Sequence, residues 1–131
     1  MVIMELQSPN APTPIGPYSQ AIQVVDGHIY VSGCLGFSAR HNALVKTTFG
    51  EEVRQALYNL GQVLSQANST FANVVKVTIY LASMKDFKEV NDIYMTYFAK
   101  PYPARTTLSV KELPLGARVE IDVIAYNNSL R

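Results

Sequence analysis

The segment Asn73-Val74-Val75-Lys76-Val77-Thr78-Ile79-Tyr80-Leu81 constrains this chain more than any other. It reads as an extended strand, and strand side chains alternate between faces with a period of two, so apolar residues fall on both faces. Such a strand must be covered above and below, which puts it inside a sheet and next to a parallel neighbour. The flanking sequence supplies helices. Phe49, Val53, Leu57, Leu60, Leu64 and Ala67 recur at helical spacing and predict an amphipathic helix over 48–67. Thr47 or Thr48 can cap it, and Glu51 and Glu52 suit the positive end of its dipole. Gly61 inside the helix is costly and points to close packing against another element. On the other side Ser83 caps a second helix, with Asp86 in its first turn and Phe87, Val90, Tyr94 and Phe98 as its stripe. Asn91 lies beside that stripe, where a buried amide needs partners. Pro101 and Pro103 end this helix.

Five further segments read as strands. Residues 2–6 fit a short edge strand, and 8–17, with four prolines and Gly16, fit a rigid connection. Tyr18 closes that connection, either as a surface aromatic or as a ring over a pocket. Residues 21–25 and 29–32 form a hairpin across Asp26-Gly27, because both turn residues tolerate positive φ. His28 follows as an exposed residue. Ser32-Gly33-Cys34-Leu35-Gly36 reads as a loop, either plain or one whose glycines bring backbone N–H groups close to something small. Cys34 reads as a packed thiol rather than a nucleophile, since no histidine is fixed beside it. Residues 37–46 read as loop. In 104–110, Ala104, Thr106, Leu108 and Val110 share one face, and Arg105, Thr107 and Ser109 the other. Arg105 can present its planar fork to a carboxylate or stand solvated at a strand end, the commoner case for its residue type. Residues 119–126 form the last strand, with Glu120 a carboxylate among Val and Ile.

The order β-β-β-α-β-α-β-β contains two strand–helix–strand crossovers. The right-handed rule then places both helices on one face and predicts parallel neighbours. The other face carries too much Val, Ile and Tyr for water, so a second copy of the chain is the expected cover.

Size and charge narrow the function. A chain of 131 residues makes one domain, 1–131. Eleven basic residues stand against ten acidic ones and no two basic residues adjoin, which speaks against a nucleic-acid groove. One cysteine permits no internal disulfide and suits a reducing compartment. No apolar run approaches the roughly 20 residues a membrane span needs. Residues 1–6 suit neither a signal peptide nor, lacking arginine, a transit peptide. The expectation is a soluble cytoplasmic protein. Two scattered histidines and one cysteine make no metal cluster, and no cofactor is expected.

Several motifs together carry a resemblance. Thr13-Pro14-Ile15-Gly16-Pro17-Tyr18-Ser19-Gln20, Val31-Ser32-Gly33, Asn73-Val74-Val75-Lys76, Val90-Asn91-Asp92-Ile93-Tyr94 with Tyr97-Phe98, Pro103-Ala104-Arg105, and Leu113-Pro114 with Val119-Glu120-Ile121 resemble the RidA/YjgF/UK114 family, in its order, from about residue 8 to 126. The resemblance implies an α+β, chorismate-mutase-like fold: a mixed six-stranded sheet, two helices on one face, and the final strand inserted between the third and fourth. It implies a homotrimer with three clefts between subunits. The implied activity is hydrolysis of reactive 2-imino acids, 2-iminobutanoate and 2-iminopropanoate, to 2-oxo acids and ammonia. Arg105 stands where the family grips the substrate carboxylate, a task suited to a bidentate fork. Glu120 stands where it manages the attacking water, and a partly buried carboxylate is suited to that proton. Tyr18, Ser32, Gly33 and Asn91 match positions that line or support the cleft. Thr107 departs from the cysteine of well-known members, and Cys34 from a common glutamine. Two other functions stand beside this one: a ribonuclease that inhibits translation, and a regulatory module binding a small carboxylate. The second fits less well, because an anionic Glu120 weakens binding of an anionic ligand.

Overall fold

The computed structural model describes residues 3–128. Its elements in chain order are β1 (Ile3–Leu6), β2 (Ala21–Val24), β3 (His28–Leu35), β4 (Phe37–Ser38), β5 (Ala43–Leu44), α1 (Phe49–Gln66), β6 (Val74–Leu81), α2 (Phe87–Tyr97), β7 (Ala104–Ser109) and β8 (Val119–Tyr126). Val2, expected in the first strand, lies outside the described residues. Six strands form one mixed sheet in the order β1-β2-β3-β8-β6-β7, and β4 and β5 form a separate two-stranded ribbon.

Local chemistry explains most boundaries. The Asp26-Gly27 turn forms with Gly27 at φ 92°, and Asp26 accepts from the His28 N–H at 2.9 Å. The Thr48 side chain accepts from the Glu51 N–H at 3.1 Å and caps α1. Gly61 lets α1 close on the Phe71 ring, which an added Cβ would meet at 3.2 Å. Ser83 caps a 3-10 turn over Met84–Asp86 rather than α2 itself, so the second helix starts at Phe87. Val90, Tyr94 and Phe98 of the expected stripe are buried together with Ile93, whereas Phe87 is exposed at the helix start.

Both helices lie on one face of the sheet. There Ile29, Val31, Val77, Ile79, Leu81, Val119, Ile121, Val123 and Ala125 meet Val53, Leu57, Leu60 and Leu64 of α1 and Val90, Ile93 and Tyr94 of α2 in a single core. Two expectations change. The β6–α2–β7 crossover does give parallel neighbours, but β3 and β6 do not touch. β8 lies between them, antiparallel to both. The crossover rule fixes the hand of a connection and not adjacency. β8 buries every second residue completely or nearly so, and the slot between two strands satisfies its backbone on both edges. Secondly, Ser32–Leu35 is not a loop. It belongs to β3, with a register irregularity between Val31 and Cys34 that re-aims Gly33. The expected 37–46 loop likewise carries the β4/β5 ribbon.

Register places Ile22, Tyr30, Ile124, Tyr80 and Leu108 on the face away from the helices. Tyr30 is 48% exposed and Leu108 38%. The apolar side of β7 therefore looks away from the core, and its Arg105 side looks toward α2.

Candidate active site

Arg105 pairs with Val77 in the sheet, which turns its side chain to the helix face. α2 supplies the surface it meets. The guanidinium carbon sits 4.7 Å from the Tyr94 ring centroid and 5.9 Å from that of Phe87, both within cation–π range. Burial raises the Tyr94 hydroxyl above its usual pKa, with the Arg105 charge opposing, so the phenol stays protonated at neutral pH. Asn91, Tyr94, Met95, Tyr102 and Pro103 line an open cleft of about 450 Å³ with Arg105. Three buried polar atoms in this neighbourhood lack a hydrogen-bond partner: Asn91 Oδ1, Tyr94 OH and Thr107 Oγ1. Thr107 is the next residue along β7 on the Arg105 face. The ion pairs among the described residues are His28–Asp26, Lys88–Asp92 and Arg118–Glu52, and none involves Arg105. Here a half-buried guanidinium without an acidic partner among the described residues faces a cleft, beside unsatisfied polar groups. Such groups are costly unless something fills them.

Glu120 belongs to a different place. It pairs with Tyr80 on one side and Leu35 on the other, which puts its carboxylate on the face without helices. Gly33 makes room for it: a Cβ at residue 33 would overlap the carboxylate. Burial first, and then the like charge of Asp122, raise the Glu120 carboxyl above the usual carboxylate range. The nearby Asp122 carboxylate, and then burial, raise the Tyr80 hydroxyl above its usual pKa. The start of β8 is held from the other face. Glu52, fully buried in α1, accepts from the Arg118 backbone N–H at 2.8 Å and from its Nε at 2.6 Å.

Tyr18, Ser32 and Gly33 share a second cavity with the 11–15 segment, Cys34, Asn59 of α1 and Leu115. The Ser32 hydroxyl donates to the Ser19 carbonyl at 2.6 Å, tying β3 to the proline-rich connection. Cys34 packs against the core; burial, then the charges of Glu120 and Asp122, push its thiol up to about 12. It is therefore a neutral thiol at physiological pH, as its lack of a fixed histidine suggests. Among the described residues no group of three or more His, Cys, Asp or Glu is disposed to hold a metal.

The structure thus sorts the candidates into two groups. Arg105, Thr107 and Asn91 gather under α2; Glu120, Gly33, Ser32 and Tyr18 gather about β3. Arg105 and Glu120 project from opposite faces of one sheet, so no small molecule bound to one protomer touches both. Tyr94 and Leu115 were not singled out for the site by the sequence. Tyr94 was absorbed into the core stripe, although its spacing of three from Asn91 places both on one helix turn. Nothing in the local pattern marks Leu115.

Residues 8–127 match the family described as Endoribonuclease L-PSP. The chain is 50% identical over 120 residues to the 2-iminobutanoate/2-iminopropanoate deaminase of Mus musculus, covering 92% of this chain and 88% of that protein. It is 44% identical over 125 residues to the protein of the same name from Homo sapiens, with 95% and 90% covered. Among solved structures it is similar to YyfA of Yersinia pestis, a protein of the conserved Rid family, at TM-score 0.91 and 42% identity over 95% of this chain and 98% of that one.

Proposed function

The chain belongs to the Endoribonuclease L-PSP family, the RidA/YjgF/UK114 group its motifs resemble, and from that premise we propose that it is a 2-iminobutanoate/2-iminopropanoate deaminase. The observation that carries the reading is Arg105, a guanidinium without an acidic partner in a cleft beside unpartnered polar atoms. A 2-imino acid brings a carboxylate to that fork. The Thr107 and Tyr94 hydroxyls are donors that the same anion can satisfy.

Hydrolysis then needs a water held against the imine carbon. Glu120, as carboxylate, takes a proton from this water while its oxygen bonds to the carbon and the C=N electrons pass to nitrogen. Glu120 returns that proton to the nitrogen to complete the carbinolamine, and then relays the carbinolamine hydroxyl proton to the same nitrogen. As the C=O bond forms the C–N bond breaks with its electrons going to nitrogen, ammonia leaves and the 2-oxo acid remains. A raised pKa favours this double duty, because the group must both accept and release a proton near neutral pH.

Arg105 and Glu120 face apart within a protomer, so the reading calls for a second copy. The uncovered face with Ile22, Tyr30, Ile124 and Leu108 supports a homo-oligomer. We propose the homotrimer that the family resemblance implies, with each cleft taking Arg105 from one subunit and Glu120 from another. The proposed compartment is the cytoplasm, supported by the single cysteine. Among the described residues no helix is long and apolar enough to cross a membrane.

The test traps the imine with semicarbazide as a PLP-dependent dehydratase releases it. The protein should suppress semicarbazone formation and speed release of the 2-oxo acid; an unchanged semicarbazone yield would sink the reading. The ribonuclease function named in the family description is checked with a salt titration of RNA binding, which near-neutral charge predicts to be weak.

A further inference from the structure

Leu115 sits at φ 61° and ψ 16°. The other described non-glycine residues at positive φ are Asn42 and Asn68, whose short polar side chains tolerate this region. A leucine does not, because its Cβ crowds the following carbonyl. Nor does burial compensate, for Leu115 is 52% exposed. A strained, half-solvated leucine is a feature to be explained by what it touches. It lines the cavity that also holds Tyr18, Ser32 and Gly33, and Gly33 is the residue on which the Glu120 carboxylate rests.

We propose that this cavity receives the side chain of the 2-imino acid and that Leu115 is a specificity-determining wall of it, favouring branched aliphatic side chains over a methyl group. The inference rests on the deaminase reading. If the imine carbon lies at Glu120, above Gly33, the substituent on that carbon is beside Ser32 and Gly33. Glu120 is not itself a wall of the cavity, but Ser32 and Gly33 are, so the cavity is reached past Gly33. Its remaining walls include Pro12, Ile15, Tyr18, Phe37 and Val63, which are apolar or aromatic, and its volume of about 80 Å³ exceeds what a methyl group fills. Leu115 and Ile15 are exposed without substrate, at 52% and 66%. A bound aliphatic group would remove apolar surface of both from water, an interaction that a methyl group cannot reproduce. The backbone strain at Leu115 is then tied to a contact made only with substrate present.

The test compares 2-imino-4-methylpentanoate with 2-iminopropanoate, each generated from the D-amino acid by an oxidase, in the full-length protein. Leu115→Gly and Leu115→Asn both suit positive φ, so the melting temperature should hold or rise. The ratio of kcat/KM for the branched imine to that for the small one should fall about tenfold, the low end of what one or two methylenes give in an apolar pocket. A ratio within about twofold of wild type, the factor by which such contributions vary with context, overturns the proposal, as does a ratio that falls only when the melting temperature falls with it. Calorimetric affinities for 4-methyl-2-oxopentanoate and pyruvate are measured in parallel. Wild type inert toward both imines would sink the deaminase reading alone, since the same tenfold loss in relative 2-oxo acid affinity still decides the role of Leu115.

Discussion

Glu120 carries a charge in a place that disfavours charge. Its carboxyl is raised by burial and by Asp122, and no cation among the described residues pairs with it. Two consequences follow with opposite signs. In the proposed mechanism turnover uses the base form, so kcat should rise with pH through a pKa above the usual 4.3 or so, and Glu120→Gln should lose both that limb and about 10²–10⁴-fold in rate. Stability runs the other way. A raised folded pKa favours the protonated form, so stability is lost as pH climbs through it, and Glu120→Gln should melt slightly higher than wild type near neutrality. The difference should vanish below about pH 4, and partial exposure keeps it small. If Glu120 instead held the strand through an ion pair, the variant would melt lower at pH 7. Arg105→Ala should abolish deamination and cost only about 1–2 kcal/mol of stability, the worth of a partly desolvated cation–π contact. Arg105→Lys should remain badly impaired in 2-oxo acid affinity, since a point charge cannot replace the fork. Both residues stand out in the sequence as charged side chains within strands, but the roles proposed for them come from the family resemblance, since residue type alone favours a solvated strand-end arginine. Leu115 does not stand out, because its strangeness lies in φ, which residue type does not reveal.

The third strand decides where Glu120 can point. Its irregularity past Val31 turns Gly33 toward β8, and the missing Cβ is the space the carboxylate uses. Gly33→Ala should therefore push aside the flexible end of Glu120 rather than the backbone. Circular dichroism and melting temperature should be close to wild type, while kcat should fall at least tenfold, the scale of misplacing a catalytic group by about 1 Å. Retained turnover would show that the carboxylate acts from another position. Periodicity and caps revealed α1, β6 and β8 almost to the residue, because burial on one face imprints a period on the chain. The glycines of 32–36 suggested a loop because an irregular strand and a loop share the same residue types. The slot of β8 was hidden from local reasoning for a different cause: sheet order is a property of long-range pairing, and only the family resemblance anticipated it.

At the scale of the molecule, the two halves of the proposed site look away from each other through one sheet. Sedimentation equilibrium at micromolar protein should give a trimer mass. Mixing unfolded Arg105→Ala and Glu120→Gln chains in equal amounts and refolding them together should recover roughly a quarter of wild-type activity, the chance that a cleft draws each intact residue from the right neighbour in a closed ring. Refolded separately, each variant should stay dead. A site complete within one chain would give no recovery on mixing. The same arrangement bears on inheritance. In the proposed trimer each subunit would serve two clefts, so a copy damaged at Arg105 would silence one of them and a copy damaged at Glu120 the other. A copy bearing both lesions silences two, yet beside a wild-type allele it leaves the same quarter or so of the clefts intact as two separate lesions on different alleles, so the proposed ring gives both heterozygotes a similar residual activity.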